Sequence, residues 1–138
     1  MPQEYFALNN AWMLVCTFLV FITHLGFATL ESGLVRSKNT VNILFKNSMV
    51  VPIGLITYTF WGFSLMYPGE AHAGDFIGFN GFGVPQPEAG EDAVYEGGYA
   101  HWTDFLFNAM LAATSATIVS GAVAERVKLN SFLLFSVL

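Results

Sequence analysis

The sequence is short of charge, and above all of positive charge. Only 11% of its 138 residues are charged, whereas a soluble domain has roughly 25%. Because 54% of the residues are hydrophobic, the chain cannot cover a folded surface with polar groups, which argues against a soluble domain and against disorder. Five Lys and Arg against ten Asp and Glu exclude the basic patch that a nucleic-acid partner requires. The lipid bilayer is therefore the expected solvent.

Cysteine is nearly absent, and the motifs of common enzyme sites are absent from the sequence. The single Cys16 excludes an intramolecular disulfide framework and a cysteine-based zinc site. The sequence contains no glycine-rich nucleotide-binding motif, no nucleophile elbow and no metal-ligand spacing. Since no acid–base or nucleophile pair lies within the apolar segments, we expect a protein that is not an enzyme and needs no cofactor or metal.

The sequence contains long apolar runs in place of such motifs. Three intervals contain no charged residue: 26 residues after Glu4, 23 after Lys46 and 20 after Asp104. Each is long enough for a helix to cross about 30 Å of hydrocarbon. The predicted spans are about 9–33, 43–67 and 102–124, with a fourth that starts at residue 129 and is cut by the end of the sequence. We therefore expect an all-α, multi-pass membrane protein, of which this chain is the N-terminal part.

Two independent signals predict the same orientation in the membrane. Basic residues occur only around the first connection and before the fourth run, and the positive-inside rule places both regions in the cytoplasm. The N-terminus and segment 68–101, which is rich in Gly and Pro and acidic, are then outside. The three tryptophans fall at the outer ends of their spans, as interfacial anchors do: Trp12, Trp61 and Trp102. For segment 68–101 a solvated connection is favoured over a binding lid.

The third predicted span is built largely from Ala, Ser, Thr and Gly, which let helices approach closely. Its larger residues Phe107, Leu111 and Ile118 have the spacing i, i+4, i+11 and fall on roughly one face. Such a stripe either fills a core or lines a pathway through the protein. Periodicity alone favours the core.

Ionisable residues inside the first span are candidate functional residues because they are costly in a membrane. Glu31 is either an interfacial carboxylate beside the basic residues of the first connection or part of a pathway. His24 is either a neutral imidazole hydrogen-bonded to Thr23 or a neighbouring helix, or a proton relay. His101, at the outer surface, is expected to be solvated.

Two motifs closely resemble those of the Amt/Mep/Rh ammonium transporter family. The string ESGLVRSKN (31–39) closes the first span and TIVSGAVAER (117–126) ends the third. The resemblance covers nearly the whole chain from about Asn9. It implies an eleven-helix bundle with an inverted five-plus-five repeat, an external N-terminus and a trimeric assembly in the cell (inner or plasma) membrane. This chain would supply helices one to three and the start of the fourth.

The resemblance also implies roles for particular residues. Phe107 matches the aromatic residue of the outer vestibule, where ammonium is recruited by cation–π contact. Leu111 stands where the family has its first gating phenylalanine, and Asn108 where a glutamine is usual. Ile118 and Phe27 match walls of the hydrophobic pore. The paired pore histidines of the family lie on helices five and ten, outside this sequence.

The function implied by the resemblance is ammonium transport. Ammonium is recruited outside and deprotonated, and ammonia then crosses a dry pore while the proton is relayed separately. The implied partners are ammonium or ammonia, lipid, further copies of the chain in a homotrimer and a cytoplasmic regulatory protein. Two alternatives stay open: an ammonium sensor of the same fold coupled to a signalling domain, and a non-functional remnant with three spans.

Overall fold

The computed structural model describes residues 3–68, 72–73, 77–85 and 98–137, and most of these are helical. In chain order the helices are α1 (Gln3–Leu34), α2 (Thr40–Thr57), α3 (Phe63–Met66), α4 (His101–Ala122) and α5 (Leu129–Val137). A 3-10 turn (Ser37–Asn39) precedes α2, and a π turn (Tyr58–Gly62) joins α2 to α3. Two short strands, β1 (His72–Ala73) and β2 (Ile77–Gly78), pair antiparallel with His72 opposite Gly78.

Three helical runs are long and apolar enough to cross a membrane: Tyr5–Leu34, Ser37–Met66 and His101–Ala122. The shortest has 22 residues, which at 1.5 Å per residue exceeds the roughly 30 Å of the hydrocarbon layer. These runs follow from the charge-free intervals, because a charge in the hydrocarbon costs more than most local preferences. The prediction of an all-α membrane fold is confirmed, since the two described strands have only two residues each.

Helix α4 packs against both α1 and α2, which also contact each other, while α5 packs against α2. Its small residues make this possible: Ala109 and Ala113 are completely buried. On α2, Gly54 faces Ala113 so closely that a Cβ at Gly54 would lie 2.9 Å from the Ala113 Cβ. The two backbones thus approach at a point where neither residue can be larger.

An aromatic cluster lies at the C-terminal end of α2. The Tyr58 ring lies 5.7 Å from the Phe105 ring and 6.1 Å from the Phe63 ring, centroid to centroid. Gly62 makes room for Tyr58 within the π turn, because a Cβ there would lie 2.7 Å from Tyr58 Cδ2. The prediction that His101 is solvated is wrong. His101 is only 6% exposed, and its ring meets the Phe63 ring edge-on at 5.1 Å.

The acidic character of segment 68–101 comes from residues that lie outside the described part of the chain: Glu70, Asp75, Glu88, Glu91, Asp92 and Glu96. In the described part of that segment, Phe82 packs on Phe79 and on Phe60 of the π turn, with ring centroids 5.3 and 5.8 Å apart. Ser64 of α3 donates a hydrogen bond to the Gly83 carbonyl at 3.1 Å. These contacts hold residues 79–83 against the end of the α2–α3 run.

Candidate functional site

A buried carboxylate cluster joins three helices. It consists of Glu31 from α1, Lys46 and Asn47 from α2, and Ser120 from α4, and each of these residues is at most 5% exposed. Glu31 Oε2 receives three donors: Lys46 Nζ at 3.2 Å, Asn47 Nδ2 at 3.1 Å and Ser120 Oγ at 3.1 Å. A buried ion pair is tolerated only with such additional hydrogen bonds, because both charges have lost their water.

The ammonium group of Lys46 has further partners in this cluster. Its Nζ donates to the Ser120 carbonyl oxygen at 3.2 Å and lies 5.0 Å from the centroid of the Phe132 ring. The second contact has cation–π geometry and brings in α5. The cluster therefore connects α1, α2, α4 and α5 at one point.

A cavity of about 320 Å³ lies next to the cluster, between α1 and α4. We call it the α1–α4 cavity. Glu31 and Gly121 line it together with Phe27 and Ile118. The second carboxylate oxygen, Glu31 Oε1, is buried and has no hydrogen-bond partner among the described residues. A Cβ at Gly121 would lie 3.4 Å from this oxygen, so the missing side chain leaves space beside it.

Helix α4 has an exposed face with large residues and a packed face with small residues. Leu111 is 42% and Ile118 55% exposed, and their spacing of seven residues places them on one face, two turns apart. Phe107, one turn before Leu111, is half-buried. Ala109, Ala113 and the other buried small residues form the packed face. The structure thus brings Phe27 and Ile118 into one cavity, whereas Phe107 and Leu111 lie outside it.

Asn108 belongs to a separate polar network at the start of α4. Its Nδ2 donates to the Tyr67 hydroxyl at 3.2 Å, and that hydroxyl donates to Asp104 Oδ2 at 3.0 Å. Both Asn108 and Asp104 are buried. Tyr99 also contacts Asp104, and the pKa of the Tyr99 hydroxyl is raised, first by burial and then by the negative Asp104 carboxylate. Asn108 is therefore packed inside the protein, whereas Leu111, three residues further along α4, is 42% exposed.

The sequence profile of the Ammonium Transporter Family matches residues 11–138. This chain belongs to the ammonium transporter family. A candidate ammonium transporter of Synechocystis sp. is 44% identical over 95% of this chain and 28% of its own length. Ammonium transporter Amt2 of Haloferax mediterranei is 39% identical over 94% of this chain and 28% of its own length. The chain thus spans about 28% of the length of these curated relatives.

The fold agrees with this membership. A solved structure of a sensor Amt protein superimposes with a TM-score of 0.78 at 26% identity, over 99% of this chain and 32% of that chain. The family resemblance inferred from the two motifs is confirmed, and so is the helical membrane fold.

The two motifs of this ammonium transporter family member meet in space. Glu125, from the second motif, accepts hydrogen bonds from Asn39 Nδ2 at 2.7 Å and from the Arg36 backbone N–H at 3.0 Å, both in the first motif. These bonds, with that from Asn39 contributing most, lower the pKa of the Glu125 carboxyl. Glu125 itself has a positive φ of 62°, a conformation that is uncommon for a residue with a side chain. The motifs therefore form one joint between the end of α1 and the turn after α4.

Glu31 and His24, the ionisable residues inside the first span, both have partners within the protein. Glu31 pairs with Lys46, while Arg36 pairs with Glu125. His24 is buried, and its Nδ1 lies 3.3 Å from the Val20 carbonyl oxygen of its own helix. The Thr23 hydroxyl donates to the same Val20 carbonyl oxygen at 2.6 Å, so His24 and Thr23 share an acceptor. Its Nε2 has no hydrogen-bond partner in the part of the chain that the structure describes.

Lys46, Asn47 and Ser120 are the site residues that the sequence did not reveal. In the sequence, Lys46 was considered only as the charged residue that precedes the second apolar interval. The available signal was its position directly before Asn47 and the apolar run, since a lysine at the start of a span can turn inward when a carboxylate lies at the same depth. Ser120 was counted only among the small residues.

Proposed function

We propose that this chain forms one side of a hydrophobic ammonium pathway in a membrane protein that conducts ammonia. The observation that carries the proposal is the α1–α4 cavity, which joins Phe27 and Ile118 beside the exposed α4 face that bears Leu111. The described helices leave this face uncovered. An opposing wall from another part of the protein would turn it into a closed, apolar channel.

The proposed steps follow from the chemistry of these side chains. Phe107 offers a ring face to which ammonium binds by cation–π contact, worth about 0.5–2 kcal/mol. Ammonium must lose its proton before the apolar part of the path, because a charge at the centre of a bilayer costs at least about 2.5–3.5 kcal/mol. The proton passes to the paired pore histidines that the family resemblance implies outside this sequence. Ammonia then passes Leu111, Ile118 and Phe27. Leu111 excludes water at the gate position but has no ring face for a cation.

The setting of the proposed pathway is a multi-pass protein of the cell membrane with its N-terminus outside and segment 68–101 external. We further propose a homotrimer, regulation by a cytoplasmic protein and no enzymatic activity. The basic residues of the two connections support this orientation.

The test is uptake of radiolabelled methylammonium by cells that lack their own ammonium transporters and express the protein from its complete reading frame. Uptake above the empty-vector background is expected. Phe107→Ala should weaken it at low substrate concentration, because recruitment is lost. Phe107→Tyr is the matched control and should retain it. Absence of uptake by well-expressed, membrane-inserted protein would contradict transport.

An ammonium sensor is the second candidate. The observation that favours it is the superposition on a sensor Amt protein over 99% of this chain, together with Leu111 at the gate position. A sensor should bind ammonium, as measured by calorimetry on the purified protein, without methylammonium uptake. A remnant should show neither property.

A further inference from the structure

One oxygen of the buried Glu31 carboxylate has no partner in the described structure. Glu31 is 3% exposed, and its Oε2 takes all three donors of the carboxylate cluster. Oε1 takes none. Buried polar groups in native proteins are nearly always hydrogen-bonded, and an unmatched charged oxygen is costly. Oε1 is therefore a buried acceptor that can bind a small hydrogen-bond donor.

The space beside Oε1 is available and is connected to the α1–α4 cavity. Gly121 and Glu31 line this cavity together, and a Cβ at Gly121 would stand 3.4 Å from Oε1. The cavity volume of about 320 Å³ exceeds the roughly 30 Å³ that one water-sized molecule occupies. Its other walls include Phe27 and Ile118, which offer no hydrogen bonds. Oε1 is thus a side-chain acceptor that a molecule in contact with these two walls can reach beside Gly121. The Glu125 carboxylate also lines the cavity, but its Oε1 already accepts hydrogen bonds from Arg36 and Asn39.

The charge balance decides what kind of donor fits. Lys46 Nζ lies 3.2 Å from Oε2 and compensates the negative charge of the carboxylate. A second cation at Oε1 would stand near this lysine and be repelled, whereas a neutral N–H donor would not. We propose that Glu31 Oε1 accepts a hydrogen bond from ammonia in the α1–α4 cavity, a site that rests on the proposed pathway.

The sharpest test fills the space without disturbing the ion pair. In Gly121→Ala the new methyl group reaches ordinary van der Waals distance from Oε1 and displaces a bound molecule. Alanine is also the better helix former, so the fold is retained. Gly33→Ala is the matched control, because Gly33 is likewise the penultimate residue of its helix and a Cβ there meets nothing within 4 Å. Methylammonium uptake should fall about tenfold in Gly121→Ala, the loss expected for a hydrogen bond to a charged group, and stay unchanged in Gly33→Ala.

A second measurement reads the site without transport. Infrared difference spectra of the reconstituted protein, with ammonium chloride against sodium chloride at mildly alkaline pH, should show a shift of one carboxylate band. The shift should vanish in Gly121→Ala and in Glu31→Gln. A band that responds to exchange into heavy water but not to ammonium would show that the site holds water only and would overturn the proposal.

The outcomes separate this inference from the proposed function. Wild-type uptake with no effect of Gly121→Ala and no ammonium-dependent carboxylate band overturns the Glu31 site and leaves the pathway standing. Absence of uptake together with the ammonium-dependent band rejects transport but supports the site, as expected for a sensor.

Discussion

The substitution Lys46→Met tests whether the carboxylate cluster holds the helices together. Methionine has nearly the volume of lysine, so the change removes the charge and leaves the packing close to intact. The loss covers the ion pair with Glu31, the hydrogen bond to the Ser120 carbonyl and the contact with the Phe132 ring. Glu31 then remains as a carboxylate whose side chain is 4% exposed, so that bulk water compensates the lost lysine poorly.

The expected cost of Lys46→Met is about 3–5 kcal/mol in the free energy of unfolding, the usual range for breaking one side of a buried pair. Because both side chains are more than nine-tenths buried, the reduction that applies to exposed ion pairs is not needed. The double variant Lys46→Met with Glu31→Gln removes both charges and keeps the bonds from Asn47 and Ser120. It should recover at least about 2 kcal/mol of the loss.

The assay is reversible unfolding in mixed detergent micelles, followed by tryptophan fluorescence, for wild type, both single variants and the double variant. Lys38→Met is the matched control, since Lys38 is exposed, and it should change stability by less than about 0.5 kcal/mol. The reasoning is refuted if Lys46→Met costs no more than Lys38→Met. It is equally refuted if the double variant is as unstable as Lys46→Met alone.

Three further predictions concern other parts of the molecule. Gly54→Ala should destabilise by about 1–3 kcal/mol in the same unfolding assay, because its methyl group overlaps a facing alanine on α4; Gly26→Ala, where a Cβ meets nothing within 4 Å, should not. Tyr67→Phe should cost about 1–3 kcal/mol, since Asp104 then loses a buried donor. The pKa of the Glu125 carboxyl is lowered in the folded protein, so this group stabilises the fold at pH values above its ordinary pKa of 4.5. This stabilisation is lost as the pH falls through the folded-state pKa, and Glu125→Gln should flatten this acid limb of stability against pH.

Only part of the candidate site was within reach of the sequence, and that part came from the family resemblance. Phe27, Leu111 and Ile118 were assigned to a pathway through the family resemblance, and those assignments stay predictions. Periodicity alone favoured a core for the α4 stripe, whereas Leu111 and Ile118 are exposed in the described structure. A helical period shows that residues share a face, but it does not show what the face meets.

The long-range contacts were not within reach. His101 is buried because the aromatic residues at the end of the α2–α3 run meet the start of α4, and that meeting depends on helices far apart in sequence. The pairing of Glu31 with Lys46 has the same origin. Several cations lie near Glu31 in sequence, but only the packing of α1 against α2 selects the one whose ammonium group turns inward.

The sequence by itself determined the membrane environment and the family. Charge is too costly in hydrocarbon to be placed freely, so its absence over three long intervals marks the helices, and two ordered motifs identify the ammonium transporters. The tertiary structure alone decided how the polar groups pair. It placed Glu31 between Lys46 and Gly121, which has no side chain to fill the space beside the carboxylate. Contacts between side chains of different helices depend on the depth of each helix in the membrane, its rotation about its axis and the distance between the backbones. The sequence of one helix does not determine these quantities.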